Sequence, residues 1–160
     1  MKLVFADQDI APGPSIFLAG PTPRSSRIRS WRLDAVEILR ELGYGGQVLV
    51  PESPGFTFAP FCNMDGYSQQ VEWEHIALIA AGTIAFWVPR NMSDMPGLTT
   101  NDEFGYWRHR APGKILFGAP PSASHIRYQV YKAKQVGIPV FDDLGLLMGA
   151  AAEREKEYRP

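Results

Sequence analysis

The sequence is poor in cysteine. Cys62 is the one thiol in 160 residues, which excludes an intramolecular disulfide and a cysteine-only zinc site. It has no surplus of cations either. Lys plus Arg total 16 and Asp plus Glu total 17, a formal net charge of −1, and a domain that wraps a nucleic acid polymer needs an excess of positive charge. Long hydrophobic runs are missing. The longest uncharged apolar stretch is residues 76–89, IALIAAGTIAFWVP, interrupted by Gly82 and Thr83, and a membrane span needs about 20 residues. The opening MKLVFADQDIAPG has no long apolar stretch ending in a cleavage site. His75, His109 and His125 are far apart and match no metal-ligand spacing. There is no Walker A pattern, no GxGxxG and no GxSxG elbow. These absences predict a soluble, reducing, cytoplasmic setting with no membrane and no polymeric nucleic acid as partner.

What is present is an ordinary globular composition. Apolar residues make up 45% and charged residues 21%, so overall disorder is excluded. The length predicts one domain over residues 1–160, large enough to bury roughly 70% of the surface its unfolded chain exposes.

Along the chain, strand and helix signals alternate. SIFLA (15–19) is a short buried strand that stops at Gly20-Pro21 and gives way to the loop GPTPRSSR. Residues 28–42 carry apolar side chains at helical spacing, and Gly43, Gly45 and Gly46 end them. QVLV (47–50) is a second strand, halted by Pro51. Residues 52–66 form a long irregular stretch, and the Phe56, Phe58 and Phe61 in it predict a packed interface or lid. Residues 67–81 read as a helix whose last turns are apolar nearly all round, which predicts burial between layers. TIAFWV (83–88) is a strand covered on both faces. A helix over 99–109, a strand over 114–117, a helix over 122–136, a strand over 138–141 and a last helix capped by Asp142 complete the series. Alternation of this kind predicts a five-stranded parallel sheet with helices on both faces, and ligands outside the carboxyl ends of its strands.

Three segments could carry chemistry. In GLTTNDEFGYW (97–107), Glu103 lies one turn into a helix that starts near Thr99 or Thr100. One reading makes Thr100 to Glu103 a capping box, with Glu103 folded back on the backbone. The other makes Glu103 a nucleophilic carboxylate with Asn101 and Asp102 as polar neighbours. In QQVEWEH (69–75), Glu74 falls among Tyr67, Gln70, Leu78 and Ala81 on a helical wheel. A carboxylate in such company either bonds a nearby loop or serves as a substrate contact and proton donor. In GPTPRSSR, Gly20, Pro21, Thr22 and Arg24, with Ser25 and Ser26, are either an ordinary strand–helix loop or a cradle for an anion or sugar hydroxyls. Arg24, Arg27, Arg29 and Arg32 form the basic cluster of the chain, read as a solvated helix face or an anion contact. Cys62 reads as an inert loop thiol. Trp31, Trp73, Trp87 and Trp107 are core by residue type, but Trp73 and Trp87 lie beside the candidate segments and could stack on a flat base.

IFLAGPTPR (16–24), SWR (30–32), VPE (50–52), WE (73–74), FWVPR (86–90) and GLTTNDEFG (97–105), in this order, resemble the nucleoside 2-deoxyribosyltransferase-like family over residues 15 to 123. The resemblance implies a flavodoxin-like, Rossmann-related three-layer fold and chemistry at an N-glycosidic bond. A carboxylate attacks the anomeric carbon, the base leaves, and a second base or water takes the sugar. Glu103-Phe104-Gly105 matches the family's nucleophile, Glu74 is the nearest match to its substrate-contacting helical acid, and Gly20-Pro21-Thr22 match its pocket loop. Substrate contacts are expected from Arg24, Trp73, Trp87, Arg90, Asn101 and Asp102 as well. The partners implied are a small-molecule nucleoside or nucleotide and a free nucleobase, with no metal or organic cofactor, in a homo-oligomer. The chain departs from the better-characterised members at Gly97, where they carry an aspartate, and EREKEYRP shows no match to the C-terminal residues they lend to a neighbour's pocket. Two alternatives stand beside transfer. One is a nucleoside 5′-monophosphate N-glycosidase in which Arg24, Ser25, Ser26 and Arg90 hold the phosphate. The other is a non-catalytic nucleoside or nucleotide binder on the same scaffold.

Overall fold

A computed structural model describes residues 1–56 and 64–157. In chain order the elements are β1 (Lys2–Phe5), β2 (Ser15–Ala19), α1 (Trp31–Glu41), β3 (Gln47–Val50), α2 (Met64–Ala80), β4 (Thr83–Trp87), α3 (Leu98–Arg110), β5 (Ile115–Gly118), α4 (Arg127–Gln135), β6 (Val140–Phe141) and α5 (Leu144–Lys156). All strand pairs are parallel, in the order β1-β3-β2-β4-β5-β6. Without β1 this is the 2-1-3-4-5 order of flavodoxin-like sheets, and the switch point lies between β2 and β4.

The strands are legible as continuous apolar runs because both faces of the sheet are covered. Side chains alternate between the two layers. Ile16, Leu18, Ala85 and Trp87 pack with Trp31, Ala35 and Leu39 of α1 and Leu147, Met148 and Ala151 of α5. Phe17, Ala19, Ile84 and Phe86 pack with Trp73, Ala77 and Leu78 of α2, Phe104 and Trp107 of α3, and Ala133 of α4.

The sheet has six strands where the sequence predicts five. The extra one, KLVF, sits at the edge against β3, and of its four residues Val4 alone is fully buried, so it leaves no pattern to read. Helix α2 is not enclosed between layers. Val71, Ile76 and Ile79 are 46%, 59% and 53% exposed, because α2 lies in an outer layer and only its Trp73, Ala77 and Leu78 side meets the sheet. The last helix is capped by Asp143, whose side chain accepts from the Leu146 N–H, and not by Asp142. Helix α4 starts at Arg127, after His125 takes a left-handed conformation at φ 51°, so the predicted start at Ser122 is too early. Phe56 packs edge-on against Phe5 at 5.4 Å, whereas Phe58, Phe61 and Cys62 lie outside the described residues. Among the described residues no helix is long and apolar enough to cross a membrane.

The amino ends of the central strands are tied by one buried carboxylate. Glu155 of α5 accepts from the Ser15 N–H at 2.8 Å and from the Thr83 hydroxyl at 2.6 Å. A Cβ on Gly82 would stand 2.5 Å from the same carboxylate and would have to displace it. Replacing Glu155 by Leu strands two buried donors. It is expected to lower the unfolding free energy by about 2–4 kcal/mol, read from urea denaturation, with Glu155→Gln losing less.

Candidate active site

A cleft of about 730 Å³ opens at the carboxyl ends of β2 and β3, between the loop after β2 and helices α2 and α3. Three carboxylates line it, Glu74, Asp102 and Glu103, together with Gly20, Thr22 and the rings of Tyr67, Tyr106 and Trp107.

Glu103 is placed there by its neighbours in α3. Phe104 is buried, edge-on to Phe86 at 5.4 Å and 4.7 Å from Phe117, and with Thr100 and Trp107 it makes the sheet-facing side of the helix. That anchoring turns residue 103 toward α2. Gly105 also lines the cleft, where a Cβ would meet nothing within 4 Å, so the missing side chain leaves open space. The capping box does not form. The N-cap of α3 is Gly97, in the left-handed region at φ 60°, with no side-chain cap bond. Gly97 occupies that conformation without strain, and a Cβ there would press to 3.1 Å from Pro21. Glu103 is therefore not spent on its own backbone.

Glu74 reaches the same cleft from α2. Its Oε1 accepts from the Gln70 amide one helical turn earlier, at 2.7 Å. Burial pushes its carboxyl above the usual range, against the opposing pull of that hydrogen bond and of Arg32. Burial, helped by the nearby charges of Glu74 and Asp102, pushes Glu103 up to about 8, while Arg32 pulls the other way.

Arg32 organises the floor. Its side chain is 1% exposed, and its donors are committed in several directions. Nε donates to the Leu18 carbonyl at 2.9 Å, and the terminal nitrogens donate to the Gly20 carbonyl at 2.7 Å, to the Thr22 hydroxyl at 3.2 Å and to Glu52. Glu52 also accepts from the hydroxyl of Ser30, the N-cap of α1, at 2.8 Å. One ion pair thus joins the ends of β2 and β3 to the start of α1 and fixes the backbone of the pocket loop.

Arg32 is therefore no part of a solvated basic face. Its place on the stripe with Ala35, Val36 and Leu39, three, four and seven residues later, is the sequence signal of its burial. Glu52 gave no such signal. Arg29 does lie on the surface, paired with Asp34.

Several expected contacts fall elsewhere. Trp87 is on the α1–α5 face of β4, opposite the cleft, because its parity is that of Ala85 and not of Phe86. Trp73 is core, tilted on Phe17 at 6.5 Å, with its indole N–H on the Gln8 carbonyl. Pro21 packs under Gly97 and accepts from the Trp31 indole at 3.0 Å. Arg24 is exposed and does not line the cleft. Ser25 and Ser26 line a separate hollow of about 400 Å³ that shares Thr22 with it. Arg90 is buried and donates to Asn101 Oδ1 and to the His125 carbonyl at 3.1 Å, so both Arg90 and Asn101 serve to anchor α3. Among the described residues no group of three or more His, Cys, Asp or Glu could hold a metal ion.

Two stability measurements follow. Glu52→Gln leaves the Arg32 charge buried and uncompensated, and is expected to cost about 3–5 kcal/mol in urea denaturation. Glu103 behaves oppositely. Its folded-state pKa of about 8 lies above the unfolded value, so it supports the fold at low pH and that support is lost as pH rises through about 8. Glu103→Gln should therefore raise the melting temperature at pH 9, by an amount that shrinks towards zero near pH 4.

No curated protein matches the chain. The family model described as nucleoside 2-deoxyribosyltransferase like matches residues 13–123, the span that carries β2 to β5 and every cleft residue named above. The chain belongs to the nucleoside 2-deoxyribosyltransferase-like family.

Proposed function

We propose that the protein cleaves the N-glycosidic bond of a nucleoside or deoxynucleoside by double displacement and passes the sugar to another nucleobase or to water. The observation that carries this reading is the meeting of Glu103 and Glu74, from two different helices, in one cleft beside the flavodoxin-like switch point. A Glu103 oxygen attacks the anomeric carbon and the bond to the base nitrogen breaks. The electron pair goes to that nitrogen, which takes a proton from Glu74. The glycosyl ester on Glu103 is then attacked by a second base or by water, whose proton returns to Glu74. Two displacements retain the configuration at the anomeric carbon. Asp102, Thr22 and the Gly20 backbone stand where they can orient the sugar, and Tyr67, Tyr106 and Trp107 offer aromatic walls for the base.

The division of labour needs one proton on the carboxylate pair. Coupled acids titrate as a unit; burial and the Glu74 charge favour a proton on Glu103, and attack requires that proton to pass to Glu74. A 5′-phosphate finds little support here. Of the arginines and serines assigned to hold one, Arg90 is committed to Asn101 and His125, and Arg24, Ser25 and Ser26 do not line the cleft.

The direct test is incubation with each common deoxynucleoside and a second free base, followed by chromatography. Base exchange or release of free base is expected, and its absence for every nucleoside and monophosphate would end this reading. Glu103→Gln should lower kcat on the order of 10⁴-fold or more. Glu74→Gln should lower it by about 10²–10⁴-fold with an uncharged base. With the wild type, kcat/KM should hold at neutral pH and fall as pH rises through about 8, where the pair loses its proton. The Glu74→Gln variant should lack that falling limb.

A further inference from the structure

The formal net charge of −1 conceals a segregation of charge along the chain. Residues 104–141 contain no Asp or Glu, yet carry Arg108, Arg110, Lys114, Arg127, Lys132 and Lys134. The fold gathers four of these cations where α4 lies beside α3. The side chains of Gln129 and Asn101 meet at 2.6 Å, joining the starts of the two helices, which run in the same direction over one face of the sheet. Gln129 and Ala133 are buried and Val130 packs on the core, so the opposite side of α4 presents Arg127, Tyr128, Tyr131, Lys132 and Lys134. Arg108 follows Asn101 by two helical turns, on the α4 side of α3, and its Nε has no hydrogen-bond partner among the described residues. None of these four cations forms an ion pair with a described residue. Of the carboxylates that border the stretch, Asp102 and Glu103 line the cleft and Asp143 caps α5. Asp142 is exposed and pairs with none of the four. Two aromatic rings lie among the cations. Lys132 stands 5.7 Å from the ring of Tyr128 and 5.9 Å from that of Tyr131, and each tyrosine is 64% exposed.

We propose that the outward face of α4, with Arg108 beside it, docks a single-stranded nucleic acid at a site separate from the cleft. Cations with no carboxylate near them attract the phosphates of a polyanion. Open tyrosine rings between those cations add a flat surface on which an unpaired base can stack. A duplex keeps its base faces inside its own stack, so it meets the cations but gains nothing from the rings. A second copy of the chain fits this face poorly. A twofold contact would set the cations against themselves. The acids of α1 that could answer them, Asp34 and Glu37, already pair with Arg29. An anionic bilayer finds no Leu, Phe or Trp on α4 to bury. The net charge, which predicts no polymeric nucleic acid as partner, averages over this face and misses it. Helix α3 separates the face from the cleft, and binding here asks nothing of the glycosidic chemistry.

The test is fluorescence anisotropy of a labelled oligothymidylate of about twelve nucleotides titrated with the full chain. An oligonucleotide duplex of the same length, polyglutamate and phosphatidylserine vesicles serve as comparisons. Binding of the single strand should weaken about tenfold or more between about 50 mM and about 200 mM salt, as roughly three phosphate contacts require. Tyr128→Ala and Tyr131→Ala should each weaken it about fivefold or more at fixed salt and leave the salt slope unchanged. Lys134→Gln should flatten that slope by about 0.7. All three positions are exposed and away from the cleft, so the melting temperature and any release of free base should match the wild type. Preference for the single strand over the duplex, lost in the tyrosine variants, supports the proposal. Duplex or polyglutamate bound as tightly as the single strand, or tyrosine variants that bind like the wild type, overturn it in favour of bare charge attraction. Tighter capture by the vesicles, or no binding at the lower salt, overturns it outright. None of these results bears on the glycosidic reading, which base exchange tests separately.

Discussion

The cleft depends on the buried pair of Arg32 and Glu52. A charge with its side chain 1% exposed is tolerable only when its donors are matched, and here the guanidinium is shared among Leu18, Gly20, Thr22 and Glu52. The carbonyls it binds belong to the end of β2 and the turn after it, so the interaction holds the pocket loop in one shape. The same residue is the cation that opposes the upward shifts of Glu74 and Glu103. Structural support and electrostatic adjustment of the site are thus carried by a single side chain.

That dual role limits what the site can do with its acids. Were Arg32 free, the cleft would offer a positive group to an anionic ligand and would ionise both glutamates. Bound to Glu52, it only moderates them. The balance leaves both carboxyls above the usual range, Glu103 at about 8, a state two free surface carboxylates would not adopt.

Much of this was legible in the sequence, and the failures have physical causes. The four inner strands are apolar runs because both faces are covered, but that uniformity hides which face each residue takes. Trp87 was therefore open to a pocket role that its parity denies. β1 escaped because an edge strand of four residues with one buried side chain has no period to detect. Glu74 was readable as an acid on an apolar face. Glu103 was ambiguous, since TNDE fits a capping box equally well, and the ambiguity is resolved by a glycine three residues upstream of Thr100 that starts the helix without a side chain. Arg32 was within reach, on a stripe with Ala35, Val36 and Leu39. Glu52 was not, because its partner is 20 residues away and nothing local marks the pairing. Arg90 illustrates the opposite error: an arginine at a strand end looks like a ligand contact, yet its bonds to Asn101 and the His125 carbonyl make it a brace.

The braces explain how a carboxyl with a raised pKa keeps its place in the folded protein. Helix α3 is held from three directions: Phe104 is packed against Phe86 and Phe117, Asn101 is bonded by Arg90, and Pro21 closes on Gly97. A freer helix would rotate Glu103 toward water or onto its own first-turn amides and relieve the cost of burial. With the helix fixed, relief has to come from protonation or from a ligand in the cleft. The unfavourable environment of one side chain is therefore maintained by favourable packing elsewhere.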